Sequence, residues 1–143
     1  MSSWARGSWG NSTPAHSRTM ALYSSTSWDQ IEIHLYLTQT ALRSLHRELG
    51  VVTESWSPLG RGRVLADPEV GRVAAELGVT PAQVVIRWHL QHGLVVFPKS
   101  TDVERLRVNA EVFSFALTPG HMRVLDGLDR GLRTGSHPDR VQV

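Results

Sequence analysis

From Asp29 onward the apolar positions switch between two periods. Ile31, Ile33 and Leu35 recur at every second residue, the spacing of a strand with one buried face. Thr38 then stands where it can cap a helix that runs to Leu49 and is closed by Gly50. Val51 to Trp56 forms a second strand-like run. Asp67-Pro68 pairs a capping carboxylate with a first-turn proline and opens a helix that Gly78 stops. Thr80-Pro81 with Gln83 repeats the device as a capping box. Val84, Val85, Trp88 and Leu90 give that helix its apolar face, and Gly93 ends it. Leu94 to Pro98 is a short, nearly continuous apolar run, the signature of a buried parallel strand. Further helices are expected at about 102–111 and 118–128. Strands separated by helices mean parallel β/α units joined by right-handed crossovers.

Residues 1–28 break the pattern. They are rich in Ser, Thr, Gly and Trp, carry Arg6 and Arg18, and contain no acidic residue. They lack the apolar core of a secretory signal. The expectation is a disordered segment foreign to the domain that follows, as from a truncated or frameshifted gene, with Met20 as an alternative start. Residues 29–143 form the domain.

Composition narrows the choices. The 143 residues suit one ordinary domain. A closed eight-stranded α/β barrel takes about 250 and rarely fewer than about 200. Hydrophobic residues make up 41%, which fits a globular chain. There is no cysteine, hence no disulfide framework and no thiolate metal site. No apolar run reaches the roughly 20 residues of a membrane span. The formal charge is only +2, and arginines alternate with acids. A nucleic-acid surface would want a basic stripe with aromatic platforms, so neither nucleic acid nor membrane is an expected partner.

Lys99 is the only lysine of the chain. It falls in Phe97-Pro98-Lys99-Ser100, at the end of the third strand and just before a helix. A point charge, a hydroxyl and the free N–H groups of a helix N-terminus together suit a phosphate. Arg105, one turn in, adds a planar fork to the same anion or stacks on a flat base. By itself, a Pro-Lys-Ser sequence after a strand is an ordinary turn.

With Glu104-Arg105 and Asn109 added, this stretch resembles the cofactor signature of the aldo-keto reductases, which grips the 2′-phosphate and adenine of NADPH. Gln30-Ile31-Glu32-Ile33-His34-Leu35-Tyr36 is similar to the family's sixth barrel strand. Glu54-Ser55-Trp56-Ser57-Pro58-Leu59-Gly60 resembles the end of its seventh, and Thr80 to Trp88 its seventh large helix. Leu125-Asp126-Gly127-Leu128-Asp129-Arg130-Gly131 resembles the tail of the bacterial branch related to 2,5-diketo-D-gluconate reductases. The likeness runs from about Gln30 to about Asp139.

The resemblance assigns roles residue by residue. Trp56 matches an aromatic that stacks on the nicotinamide, and Gln30 a glutamine near it. Leu59 matches a leucine packed near the pyrophosphate, with Ser57 in the same loop. Arg61 stands where many members have serine; it pairs with the pyrophosphate on one reading and is merely solvated on the other. Lys99, Ser100 and Arg105 match the 2′-phosphate residues and Asn109 an adenine contact. Val108 departs from the usual glutamate or glutamine, which weakens the adenine contact and leaves the phosphate grip.

Other residues read as framework. Neither His34 nor Tyr36 matches the family's catalytic pair, and Leu35 replaces a usual proline. His89 and His92 have metal-ligand spacing, but no third ligand is near in sequence, and surface histidines on a helix are the simpler reading. Glu32 and Glu54 invite a paired-carboxylate reading; polar partners within the barrel core are the simpler one. Gly60-Arg61-Gly62-Arg63 lacks the lysine and spacing of a P-loop.

The expected fold is therefore α/β, a partial (β/α)8 TIM barrel of about three C-terminal strand–helix units plus a C-terminal helix. The implied function is NADPH-dependent reduction of a carbonyl to an alcohol, in the cytoplasm. The family's catalytic tyrosine, lysine, aspartate and histidine lie in its N-terminal half and have no counterpart here. No catalytic residue and no metal ligand is assigned, and a carbonyl substrate would be met only if that half were supplied. Two alternatives stand beside an inactive fragment. One is a half-enzyme needing a separate N-terminal partner. The other is a non-enzymatic binding protein built on the cofactor wall. Open sheet edges invite self-association. Ile31, Ile33, Val52 and Val95, or their alternating neighbours, are expected to face water where the barrel is not closed.

Overall fold

The computed structural model describes residues 27–97 and 102–135, with the backbone alone at 105, 106, 108 and 109. Three parallel strands lie in sequence order: β1 (Trp28–Glu32), β2 (Val52–Trp56) and β3 (Val95–Val96). Trp28 pairs with Val52 and Glu32 with Trp56; Glu54 and Ser55 pair with Val95 and Val96. Helix α1 (Thr40–Leu49) joins β1 to β2. A 3-10 segment (Gly60–Ala66), α2 (Pro68–Leu77) and α3 (Pro81–Gln91) join β2 to β3. Then come α4 (Val103–Ala110), a 3-10 turn (Glu111–Ser114) and α5 (Pro119–Asp126). The fold is α/β with a parallel sheet. Residues 1–26, most of the unmatched segment, lie outside the described residues, as do Lys99 and Ser100.

The capping chemistry explains where most helices begin and end. Asp67 accepts the Glu69 N–H, with Pro68 inside the first turn. Thr80 and Gln83 form the reciprocal box of α3, and Thr118 with His121 forms another at α5. Asp102 Oδ1 accepts the Glu104 N–H at the start of α4. Gly50 and Gly78 close α1 and α2 in the left-handed conformation.

Four expectations need correction. Thr38 does not cap α1; the N-cap is Gln39, left-handed at φ 53°, with no side-chain cap. The Thr38 hydroxyl instead donates to Asp129 Oδ2 at 2.6 Å. β1 stops at Glu32, because His34 and Leu37 exchange backbone hydrogen bonds and fold the chain into a tight turn. Ile33 and Leu35 thus leave the strand yet are fully buried. The third strand is only two residues long. Of the residues expected to face water, Ile33 is fully covered, Ile31 and Val95 are partly covered, and Val52 is exposed.

The core forms where α2 and α3 cover the sheet. Ile33, Leu35, Val70, Val84, Val85 and Trp88 are its centre. Trp88 is fully buried and donates its indole N–H to Asp126 Oδ1 at 2.8 Å, satisfying its one polar atom. Gln91 clamps the segment before α5 to α3. Its amide donates to the Leu117 carbonyl and its oxygen accepts the Leu117 N–H, at 3.0 and 2.7 Å.

His89 is not a surface histidine. It is fully buried, and its ring nitrogens face the carbonyls of Val85 and Ile33 at 2.8 and 3.1 Å. Full burial pushes it down to about 4, against the pull of the two carbonyls toward the charged form. In the unfolded chain it titrates near 6.5. The contribution to stability is therefore full above about pH 6.5 and is lost as pH falls toward 4. In thermal melts across that window, His89→Gln should show a shallower acid loss than the wild type. Near neutrality the variant should be less stable by about 1–2 kcal/mol, from the hydrogen bond it loses.

Candidate functional site

The C-terminal ends of β1 and β2 bring Gln30, Glu32 and Trp56 to one rim. Parallel α/β sheets bind ligands at this end. Gln30 sits opposite Glu54 in the register, and its Nε2 donates to Glu54 Oε1 at 2.8 Å. The Gln30 Oε1 carries no hydrogen bond among the described residues. Trp56 is half-buried. Together with Ile31, Glu32, Gln39, Leu42 and Arg133 these side chains line an open cavity of about 320 Å³.

Glu32 and Glu54 do not act as a carboxylate pair; each has its own donors. Glu32 is buried among four. Its Oε1 accepts the Thr134 N–H and hydroxyl, both at 2.6 Å, and the His34 ring at 2.9 Å. Its Oε2 accepts the Gly135 N–H at 3.2 Å. His34 Nδ1 accepts the Tyr36 N–H at 3.3 Å, so its proton resides on Nε2 and is given to Glu32. Burial raises the Glu32 pKa, but the Thr134 hydroxyl and N–H, the His34 ring and the Gly135 N–H outweigh it and bring it down to about 2. Arg133 Nη1 lies 4.0 Å from Oε2.

The segment that follows α5 is thus drawn back to the strand ends. The Tyr36 carbonyl holds it earlier on, accepting the Arg130 and Leu132 N–H groups at 3.1 and 2.9 Å. The Arg130 guanidinium lies 4.2 Å from the centre of the Tyr36 ring. The Tyr36 hydroxyl donates to Asp67 Oδ2 at 2.7 Å. Burial, and then Asp67, hold that phenol above its ordinary value. Tyr36 and His34 are framework, as their sequence context implies.

The loop after Trp56 contains two left-handed residues other than glycine, Ser57 at φ 51° and Arg61 at φ 55°. Gly60 between them is also left-handed, and a Cβ there would lie 3.3 Å from the His34 ring. Leu59 packs on the core. Arg61 is exposed and makes no ion pair among the described residues. Lys99 and Ser100 lie outside the described residues, as do the side chains of Arg105 and Asn109. Sequence reasoning missed Arg133, Thr134 and Gly135. The available signal was Glu32, a carboxylate flanked by Ile31 and Ile33 on a predicted strand, which needs donors from elsewhere in the chain.

The aldo/keto reductase family profile matches residues 8–130. The chain belongs to the aldo/keto reductase family. The match includes residues upstream of Gln30, where the motifs begin. An aldo-keto reductase of Mycolicibacterium smegmatis is 47% identical over 110 residues, covering 77% of this chain and 40% of that protein. The 2,5-diketo-D-gluconic acid reductase B of a Corynebacterium is 47% identical over 112 residues, covering 78% and 40%. Morphine 6-dehydrogenase of Pseudomonas putida is 42% identical over 128 residues, covering 80% and 43%. A variant of Gox0644, solved in complex with NADPH, superposes with a TM-score of 0.80 at 44% identity, covering 87% and 46%. The chain therefore spans about two fifths of the length of its curated relatives. The family uses NADP(H).

The Glu32 arrangement has a pH signature. Its folded pKa of about 2 lies below the ordinary 4.5. The stability it contributes is full above about pH 4.5 and is lost as pH falls toward 2. Glu32→Gln should lower the thermal midpoint at neutral pH and converge on the wild type as both are acidified through that window.

Proposed function

We propose that this chain supplies the dinucleotide-holding wall of an NADPH-dependent aldo/keto reductase, an oxidoreductase that interconverts carbonyls and alcohols. The observation that carries the reading is the half-buried Trp56 ring beside Gln30, whose Oε1 carries no hydrogen bond among the described residues, at the C-terminal rim of a parallel sheet. A flat ring and a spare acceptor suit a nicotinamide with its carboxamide N–H₂. On this reading the three strands are the last part of an eight-stranded barrel.

When bound, the cofactor supplies the hydride; the residues of the chain only hold it. Trp56 gives the ring a surface, and Gln30 accepts from the carboxamide. Ser57, Leu59 and Arg61 line the pyrophosphate path. Lys99, Ser100 and Arg105 take the 2′-phosphate, and Asn109 takes the adenine. The proton donor of the reaction has no candidate among the described residues at this rim. Tyr36, the one tyrosine among the described residues, already donates its proton to Asp67 and has a raised pKa. Carbonyl reduction thus requires the remainder of the barrel.

A second reading, a half-enzyme completed by an N-terminal partner, draws on one observation. Trp28, Leu45, Leu49 and Val52 are exposed apolar groups on β1, α1 and β2, and Trp28 is 65% exposed. β1 has no neighbour on its outer edge among the described residues. A preceding β/α unit would cover both features.

Affinity titrations test the first reading. The chain should bind NADPH more tightly than NADH. Arg105→Ala should lose about 1.5–3 kcal/mol of that preference, the worth of a charge-assisted hydrogen bond. Equal affinities in the wild type would overturn it. Assayed alone with an aldehyde and NADPH, the chain should show no turnover. Adding the N-terminal half of a close relative should restore some rate if the half-enzyme reading is right. Turnover by the purified chain alone, abolished by Trp56→Ala, would show that the proton donor has been misplaced.

A further inference from the structure

The loop segment 133–135 does more than cover the sheet end. A Cβ built on Gly135 would lie 2.6 Å from both Cη2 and Cζ3 of Trp56, closer than real Cβ atoms come. Gly135 thus touches the far edge of the six-membered ring of the indole. Its position is fixed by the Thr134 and Gly135 N–H groups, both held by the buried Glu32 carboxylate at 2.6 and 3.2 Å. Glu32 is in turn directly opposite Trp56 in the β1–β2 register. One carboxylate therefore holds the loop that sets the outer limit of the tryptophan on the neighbouring strand.

We infer that Glu32, Thr134 and Gly135 are positioning residues for the Trp56 ring, and that through it they set the nicotinamide end of the cofactor site while leaving the phosphate end untouched. The inference rests on the proposed cofactor reading. It assigns a role to three residues outside the expected cofactor contacts. Glycine is required at 135 for closeness, since its φ is not among the left-handed ones. Alanine there displaces a ring edge rather than the backbone.

The test separates the two ends of the dinucleotide. Affinities for NADPH and for 2′,5′-ADP, which carries the phosphate end alone, are measured by titration on the 143-residue chain. Wild type, Gly135→Ala, Glu32→Gln and the double variant Gly135→Ala with Trp56→Tyr are compared. The indole N–H resonance of Trp56, assigned by its loss in Trp56→Phe, reports ring position without cofactor. Gly135→Ala and Glu32→Gln should shift that resonance and weaken NADPH at least fivefold, with 2′,5′-ADP affinity changed by less than twofold. The double variant, whose shorter ring clears the new methyl group, should recover most of the NADPH affinity.

An unmoved resonance, or equal losses for both ligands, would overturn the positioning role while the cofactor reading stood. A gain in NADPH affinity in Gly135→Ala would also overturn it, since the loop would then be covering the ring instead of placing it. A wild-type chain that binds neither ligand would overturn the cofactor reading and this inference with it.

Discussion

A carboxylate buried at the end of a strand must be fully satisfied or it destabilises the fold by several kcal/mol. Glu32 meets that condition with donors from two sources. His34, two residues on, turns its Nε2–H inward because Nδ1 is already occupied by the Tyr36 N–H. Thr134 and Gly135 come from about a hundred residues away. The rest of the rim follows from this demand. The chain after α5 has to return to β1, and in returning it meets Trp56.

The return is prepared by the tight turn from His34 to Leu37. That turn ends β1 early and aims the Tyr36 carbonyl at the Arg130 and Leu132 N–H groups. The Tyr36 hydroxyl reaches in another direction, to Asp67, whose other oxygen caps α2. A single residue thus fixes the returning segment and the start of a core helix. On the far side, His89 joins α3 to the carbonyl just beyond β1, and Asp126 accepts from both Trp88 and His92. The sheet end is therefore held from three elements by polar contacts, most of them around buried groups. Such contacts fix geometry more than they add stability, because each mainly offsets the desolvation of its own atoms.

Local chemistry was legible where it is local. Asp67-Pro68, Thr80 with Gln83, Gly50 and Gly78 act within four residues of themselves, and each marks the helix end that its sequence implies. Thr38 misled because its hydroxyl was claimed by Asp129, ninety-one positions away, a partner no window of sequence reveals. The alternation of Ile31, Ile33 and Leu35 misled for a related reason. Every residue from Glu32 to Thr38 is buried, because both sides of the chain are covered through the turn, so burial outlasts the strand. His89 was read as exposed because one histidine on an apolar helix face gives no sign that two carbonyls await it. Gln30 and Trp56 were legible from their motifs, and they do share a rim. The loop that bounds Trp56 was not, since a Thr-Gly pair after the last helix acquires meaning only once Glu32 is known to be buried.

The two ends of the proposed site make different physical demands. The rim at Gln30, Glu32 and Trp56 stands on strands, with its side chains held by a buried carboxylate and a short register. The phosphate-binding residues that the sequence suggests follow a strand only two residues long and lead into an eight-residue helix. Positions on strands are set by neighbours on both sides. A flat ring needs its stacking partner placed to within a fraction of an ångström, because stacking falls off steeply with distance. A phosphate held by flexible, charged side chains tolerates more play, since Coulomb attraction decays slowly. On the proposed cofactor reading, the strand-borne part of the chain thus coincides with the contact that depends on shape.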